Sequence, residues 1–128
     1  MVQQVTKGIK ISVNTNFEGS FYKQYQLNYA FAYQVVIENQ SKDLVQLYAR
    51  EWTIFDALKP VEMVVGPGVI GEKPILKPGE IYSYTSGCAL VAPFGLMRGF
   101  YSMRNLETNQ TFKVAIPSFR LHASFALN

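Results

Sequence analysis

The chain has 128 residues, of which 48% are hydrophobic, 14% aromatic and 16% charged, with a formal net charge of +3. A chain of this length suits one domain over residues 1–128 and removes about two thirds of its unfolded surface from water on folding. The charges are scattered without a Lys or Arg run, so the footprint of a nucleic-acid binder is missing, and no stretch approaches the roughly 20 apolar residues of a membrane span.

Cys88 is the only cysteine, which rules out an intrachain disulfide and favours a reducing compartment. The first thirteen residues carry Lys7 and Lys10 among alternating apolar positions and lack the apolar core of a secretory signal. A cytoplasmic location is expected.

Taken in order, Ile9, Ile11 and Val13 alternate with polar residues as a first strand, and Glu18-Gly19-Ser20 reads as a turn. Phe21 to Asn28 has no clean period and reads as an irregular aromatic segment. From Tyr29 to Ile37 the odd positions form one continuous large face, the pattern of a central strand. Asn39 to Asp43 is turn chemistry, because Asn, Ser and Asp side chains bond their own backbone. In the return strand Val45 and Leu47 have one parity, Trp52 and Ile54 the other, so a bulge is expected near Ala49-Arg50.

Val61, Met63 and Val65 begin a further strand that delivers the chain to a glycine loop. Lys77-Pro78-Gly79-Glu80 is a second turn, followed by the alternation of Tyr82, Tyr84 and Ser86. After Ala92-Pro93-Phe94-Gly95, Met97, Gly99, Tyr101 and Met103 alternate with Arg98, Phe100 and Arg104, and Gly99 suggests a bulge or a close backbone approach. Phe112, Val114 and Ile116 form another strand, which Pro117 should end. Ser118 to His122 is read as a separate short edge strand, and the tail to Asn128 carries no strong signal. No window of about 12 residues has uninterrupted helical spacing. The expectation is an all-β, immunoglobulin- or fibronectin-III-like sandwich of two antiparallel sheets, with seven to nine strands and little or no helix.

Gly66, Gly68 and Gly71 fit G-x-G-x-x-G, but Pro74 and Pro78 leave no room for the helix that the dinucleotide fingerprint requires, and no Gly-Lys-Ser/Thr ending follows. What survives is a loop able to present backbone N–H groups to an anion beside Lys73 and Lys77. The anion-site residues expected from sequence are therefore Gly66, Gly68, Gly71, Lys73 and Lys77; the competing reading makes the glycines a tight strand crossing. His122 and Cys88 are single, and Asp43 and Asp56 are the only aspartates, so no metal-ligand spacing is visible and no catalytic residue is assigned. Trp52 is placed in the core. Phe21, Tyr22, Tyr25, Tyr48 and Phe94 lie in or near loops, where exposed rings would mark a partner surface.

Thr6-Lys7-Gly8-Ile9, Phe31-Ala32-Tyr33, Gln46-Leu47 with Arg50-Glu51-Trp52, the stretch from Gly66 to Ser86, Gly95 to Gly99, and Ile116-Pro117-Ser118-Phe119 together resemble the ApaG family over nearly the whole chain. The family often has Arg-His-Trp where this chain has Arg50-Glu51-Trp52, and Gly-Glu-Gly where it has Gly66-Pro67-Gly68. The resemblance implies a fibronectin-III-like sandwich, an interaction role, and an association with cobalt resistance and magnesium efflux. The expected function is a non-enzymatic binding module for a protein partner or a phosphate-bearing ligand, with a homodimer open and no nucleic acid or membrane partner. The alternative is a nucleotide-pyrophosphate enzyme needing a divalent cation; no other cofactor is expected. Acidic residues facing the glycine loop would favour the enzyme, and an apolar, aromatic surround the module.

Overall fold

The computed structural model describes residues 1–123, so the tail from 124 to 128 lies outside the described residues. Among the described residues there are nine strands and no helix: β1 (Val2–Thr6), β2 (Ile9–Lys23), β3 (Gln26–Asn39), β4 (Val45–Asp56), β5 (Glu62–Pro67), β6 (Ile75–Leu76), β7 (Ile81–Leu90), β8 (Phe94–Asn105) and β9 (Thr111–His122). They form two antiparallel sheets, one in the order β1-β2-β3-β7 and one in the order β5-β4-β8-β9, with β6 paired to β4. This is the sandwich that the alternation predicts.

The period-two faces meet as expected. Ile9, Ile11, Val13, Phe31, Tyr33, Val35 and Ile37 from one sheet are buried against Trp52, Met97, Tyr101, Met103, Val114 and Ile116 from the other. Trp52 stands edge-on to Tyr33 at 5.4 Å and to Phe119 at 5.8 Å between ring centroids, which ties three strands at the centre. The parity switch in β4 is resolved by a bulge at Tyr48, between Leu47 and Ala49, one residue earlier than expected. Its effect is to turn Arg50, Trp52 and Ile54 inward. At Gly99 an added Cβ would lie 2.0 Å from the Glu51 carbonyl oxygen, so the close approach read from sequence is real.

Three expectations need correction. Glu18 to Ser20 is not a turn: the register slips between Phe17 and Gly19 and β2 runs on to Lys23. The aromatic segment that follows is the far end of a long hairpin, with Tyr22 opposite Leu27 and positive φ at Gln24 and Tyr25. It showed no period because it projects past the core, where neither face needs to be apolar. Pro117 does not end its strand either. The register between β8 and β9 shifts so that Pro117 and Ser118 together oppose Arg98, and at such a bulge a missing N–H is harmless. Ser118 to His122 is therefore the continuation of β9, on the edge of its sheet.

The turn at Asn39 to Asp43 is held as its residue types suggest. Asn39 is fully buried, donates from Nδ2 to the carbonyls of Asp43 and Leu76, and accepts from the Ser41 N–H and hydroxyl. On the flank beyond β1, the two sheets are stitched by the Ala115 N–H donating to Thr6 Oγ1 at 3.3 Å. On the opposite flank the sheets end at β7 and β5, which do not pair with each other; the Val91 N–H just past β7 donates to Asp56 Oδ2 at the end of β4 at 2.8 Å.

Candidate functional site

The glycine loop lies on that open flank. Gly68 donates its N–H to the Tyr48 carbonyl at 2.8 Å, and Val69 and Glu72 exchange two backbone hydrogen bonds of 2.8 and 2.9 Å across a tight turn at Ile70 and Gly71. Three amides of the loop are thus spent on the fold. Its carbonyls turn the other way: those of Pro67 and Gly68 each accept from Arg50 Nη1 at 2.9 Å. Gly66 is packed so closely on the same guanidinium that an added Cβ would lie 3.0 Å from Nη2.

Arg50 is half-buried, and the one salt bridge among the described residues joins Lys113 to Glu51, so no carboxylate neutralises it. Beside it opens a cavity of 360 Å³ lined by Tyr33, Trp52, Ile70, Tyr84, Thr85 and Ser86 as well as Arg50 and Val69. The lining contains no carboxylate. It is aromatic and apolar with one cation and several hydroxyls, a set able to bind and orient an anionic group. Burial pushes the Tyr33 phenol above its usual range, partly offset by its hydrogen bond with Ser86. Burial likewise raises Tyr84 and Tyr101, whose hydroxyls share a hydrogen bond in the core. All three phenols remain neutral donors at physiological pH, and Arg50 is the charge that acts on them.

The lysines are placed differently. Lys73 is exposed beside the loop, its side chain near Gly68. Lys77 is exposed in the turn before β7, where its N–H donates to Glu80 Oε1 at 2.7 Å. Along β4, Gly66 pairs with Arg50 whereas Leu76 pairs with Val45, which sets Lys77 roughly 15 Å from the glycines. The structure brings Gly66, Gly68 and Lys73 together and leaves Lys77 apart. Arg50 is a candidate site residue that the expectation from sequence lacks. The parity switch that turns it inward was visible, and that signal could have found it.

Cys88 and His122 stand on strands of different sheets, β7 and β9. Cys88 is half-buried, its thiol donates to Met97 Sδ at 3.7 Å, and burial raises it to about 11; His122 is exposed on β9. Among the described residues no group of three His, Cys, Asp or Glu side chains is placed to hold a metal ion. Of the loop aromatics, Phe21, Tyr22 and Tyr25 are exposed together at the β2–β3 tip and Phe94 is exposed at the start of β8, whereas Tyr48 is half-buried beneath Arg104. No helix of the described residues is long and apolar enough to cross a membrane.

The ApaG domain family model matches residues 19–105. The chain is 44% identical over 121 residues to Protein ApaG of Mesorhizobium japonicum, covering 94% of this chain and 92% of that one, and 45% identical over 125 residues to Protein ApaG of Methylocella silvestris, covering 98% and 95%. Among solved structures it is similar to a protein described as ApaA from Bordetella pertussis, with a TM-score of 0.82 at 37% identity over 91% of this chain and 94% of that one. A structural-genomics crystal structure matches with a TM-score of 0.86 at 35% identity, covering 92% and 89%.

Proposed function

This chain belongs to the ApaG family, and from that premise and the geometry of its open flank we propose that it is a binding module that captures an anionic group beneath the glycine loop. The observation that carries the proposal is Arg50: a half-buried guanidinium held by two backbone carbonyls, without a counter-ion, at the wall of a cavity. An uncompensated charge in such a place is costly, and a bound phosphate or carboxylate would offset that cost. Gly66, Gly68 and Gly71 shape the rim and Lys73 adds charge outside it. Lys77 is a secondary, long-range contributor.

The aromatic and carboxylate-free lining supports binding over hydrolysis, since a metal-dependent phosphoanhydride reaction needs acidic ligands near the anion. A cytoplasmic location belongs to the same reading and is supported by the single free thiol. Any influence on cobalt or magnesium tolerance then runs through a bound ligand or partner. Two charge-assisted hydrogen bonds of about 2–3 kcal/mol each, about 4–6 kcal/mol together, place a phosphate-bearing ligand in the range of about 0.04–1 mM.

The test is a backbone amide NMR titration with pyrophosphate and ATP, with and without magnesium. Saturable shifts at Gly66 to Gly71 and at Tyr84 to Ser86 are expected, with no turnover of ATP. Silence at 10-fold the upper bound would overturn the proposal. Release of phosphate would overturn the non-enzymatic part of it.

A further inference from the structure

The cavity beside Arg50 is one of two along the same flank. A second, of 450 Å³, lies further along β7, with Ile54 and Val64 on one wall and Cys88, Ala89 and Leu90 on the other. Both cavities are walled by successive stretches of β7. Among the described residues β7 pairs with β3 on one side and with no strand on the other. Edge strands are usually blunted by charge, proline, bulges or shortness. Here β9 carries Lys113, Arg120 and the bulge at Pro117, β1 has five residues, and β5 has six with Glu62 and Pro67. Ile81–Leu90 has ten residues and none of these devices. Opposite it, no residue of β5 is buried on either face, although Val64 and Gly66 point inward beside Trp52 and Arg50. Val64 and Gly66 are left half-buried at this seam, where Val69 and Ile70 of the glycine loop line the first cavity together with Tyr84 to Ser86.

We infer that the free edge of β7 accepts an extended acidic peptide segment of a partner protein as a fifth strand. The inference rests on the reading of Arg50 as an anion site. Main-chain hydrogen bonds to β7 supply affinity, and two inward side chains supply specificity, as in other cases of strand addition. One cavity is level with Tyr84 and Ser86, the other with Cys88 and Leu90. Four residues of strand, about 13 Å, separate them, and positions four apart share a face. The segment therefore carries an Asp or Glu that reaches Arg50 and, four residues away, an aliphatic side chain that packs on Ile54, Val64 and Cys88. Charge fixes which end is which. Asp56 and Glu62 at the second cavity, with Lys59 beside them, outnumber the cation there and turn away a carboxylate, whereas Arg50 is the one charged residue lining the first.

Fluorescence anisotropy with synthetic 12-residue peptides tests this on the full chain. The reference peptide has alternating Thr and Val with one Glu and one Leu four residues apart. It should bind at least 10-fold more tightly than versions with Gln for Glu, with the pair three residues apart, or with the backbone N-methylated along one edge, and it should slow hydrogen exchange across Ile81–Leu90. Pyrophosphate should compete with it. Arg50→Met should erase the preference for Glu over Gln. Because that variant also loosens the glycine loop, Val64→Asp serves as a second probe and should weaken the reference peptide about 10-fold. Equal affinity for the N-methylated or three-apart peptides, or protection confined to the β2–β3 tip, would overturn the inference. If pyrophosphate binds and no peptide does, the strand partner is wrong and the anion site stands; if neither binds, both fall.

Discussion

Gly68 and Gly71 both have positive φ, +57° and +74°, yet the structure assigns them very different sensitivity to alanine. At Gly71 an added Cβ meets nothing within 4 Å, so the cost is the left-handed strain of an L-residue, about 1–2 kcal/mol, less about 0.4–1 kcal/mol recovered from the stiffer unfolded chain. The net is about 0.5–1 kcal/mol. At Gly68 the same strain applies, but the Cβ would lie 2.1 Å from the Glu72 carbonyl oxygen, which is backbone and cannot swing aside. Making room breaks the paired Val69 and Glu72 hydrogen bonds and displaces the Gly68 carbonyl from Arg50, three bonds at about 1 kcal/mol each. Gly68→Ala should therefore cost about 3–4 kcal/mol. With roughly 2 cal/mol/K of unfolding entropy per residue, each kcal/mol lowers Tm by about 4 °C in a chain of this size. Thermal unfolding followed by far-ultraviolet circular dichroism should show a fall of about 2–4 °C for Gly71→Ala and about 12–15 °C for Gly68→Ala. Equal shifts would refute the claim that the loop is clamped from within by its own carbonyls.

Other outcomes follow from the same contacts. Tyr84→Phe leaves the buried Tyr101 hydroxyl without its partner and should cost about 1–3 kcal/mol, whereas the double change to Phe should restore most of that loss; denaturant titration of the cycle decides it. Cys88, raised to about 11, should react with iodoacetamide at pH 8 about 100-fold more slowly than an ordinary thiol. The sign for stability follows: the folded state retains the Cys88 proton above the pH at which the unfolded thiol loses it, so this contribution is intact below pH 9.0 and is lost as pH rises towards about 11. The raised phenols of Tyr33 and Tyr84 act in the same direction at still higher pH, and denaturation midpoints should fall steadily above pH 9. Ile70 is a β-branched residue at φ +47° and is 57% exposed, so Ile70→Asn should raise stability by about 0.5–1 kcal/mol, read as a Tm increase of about 2–4 °C.

The fold was legible wherever one side of a strand had to be dry. Tyr29 to Ile37, Met97 to Met103 and Phe112 to Ile116 declared their inward faces by alternation alone, and the opposite parities of Leu47 and Trp52 announced a bulge. Legibility failed where burial imposes no period. The β2–β3 tip projects past the core and reads as noise, and Pro117 looks like a stop because sequence cannot show that its missing N–H falls at a bulge. Of the candidate site, the glycine pattern marked a loop whose prolines excluded a helix, and among the described residues no helix follows it. The search for free N–H groups and nearby lysines nevertheless passed over Arg50, because only pairing across β4 and β5 puts its guanidinium under the loop.

The central claim, that an anion is held by Arg50 within the seam and not by the surface lysines, is tested most directly by diffraction from crystals soaked in selenate, located by its anomalous signal. The account predicts selenium density within hydrogen-bonding distance of the Arg50 guanidinium and the Ser86 hydroxyl, lost in crystals of Arg50→Met. Density beside Lys73 or Lys77 with an empty seam would contradict it.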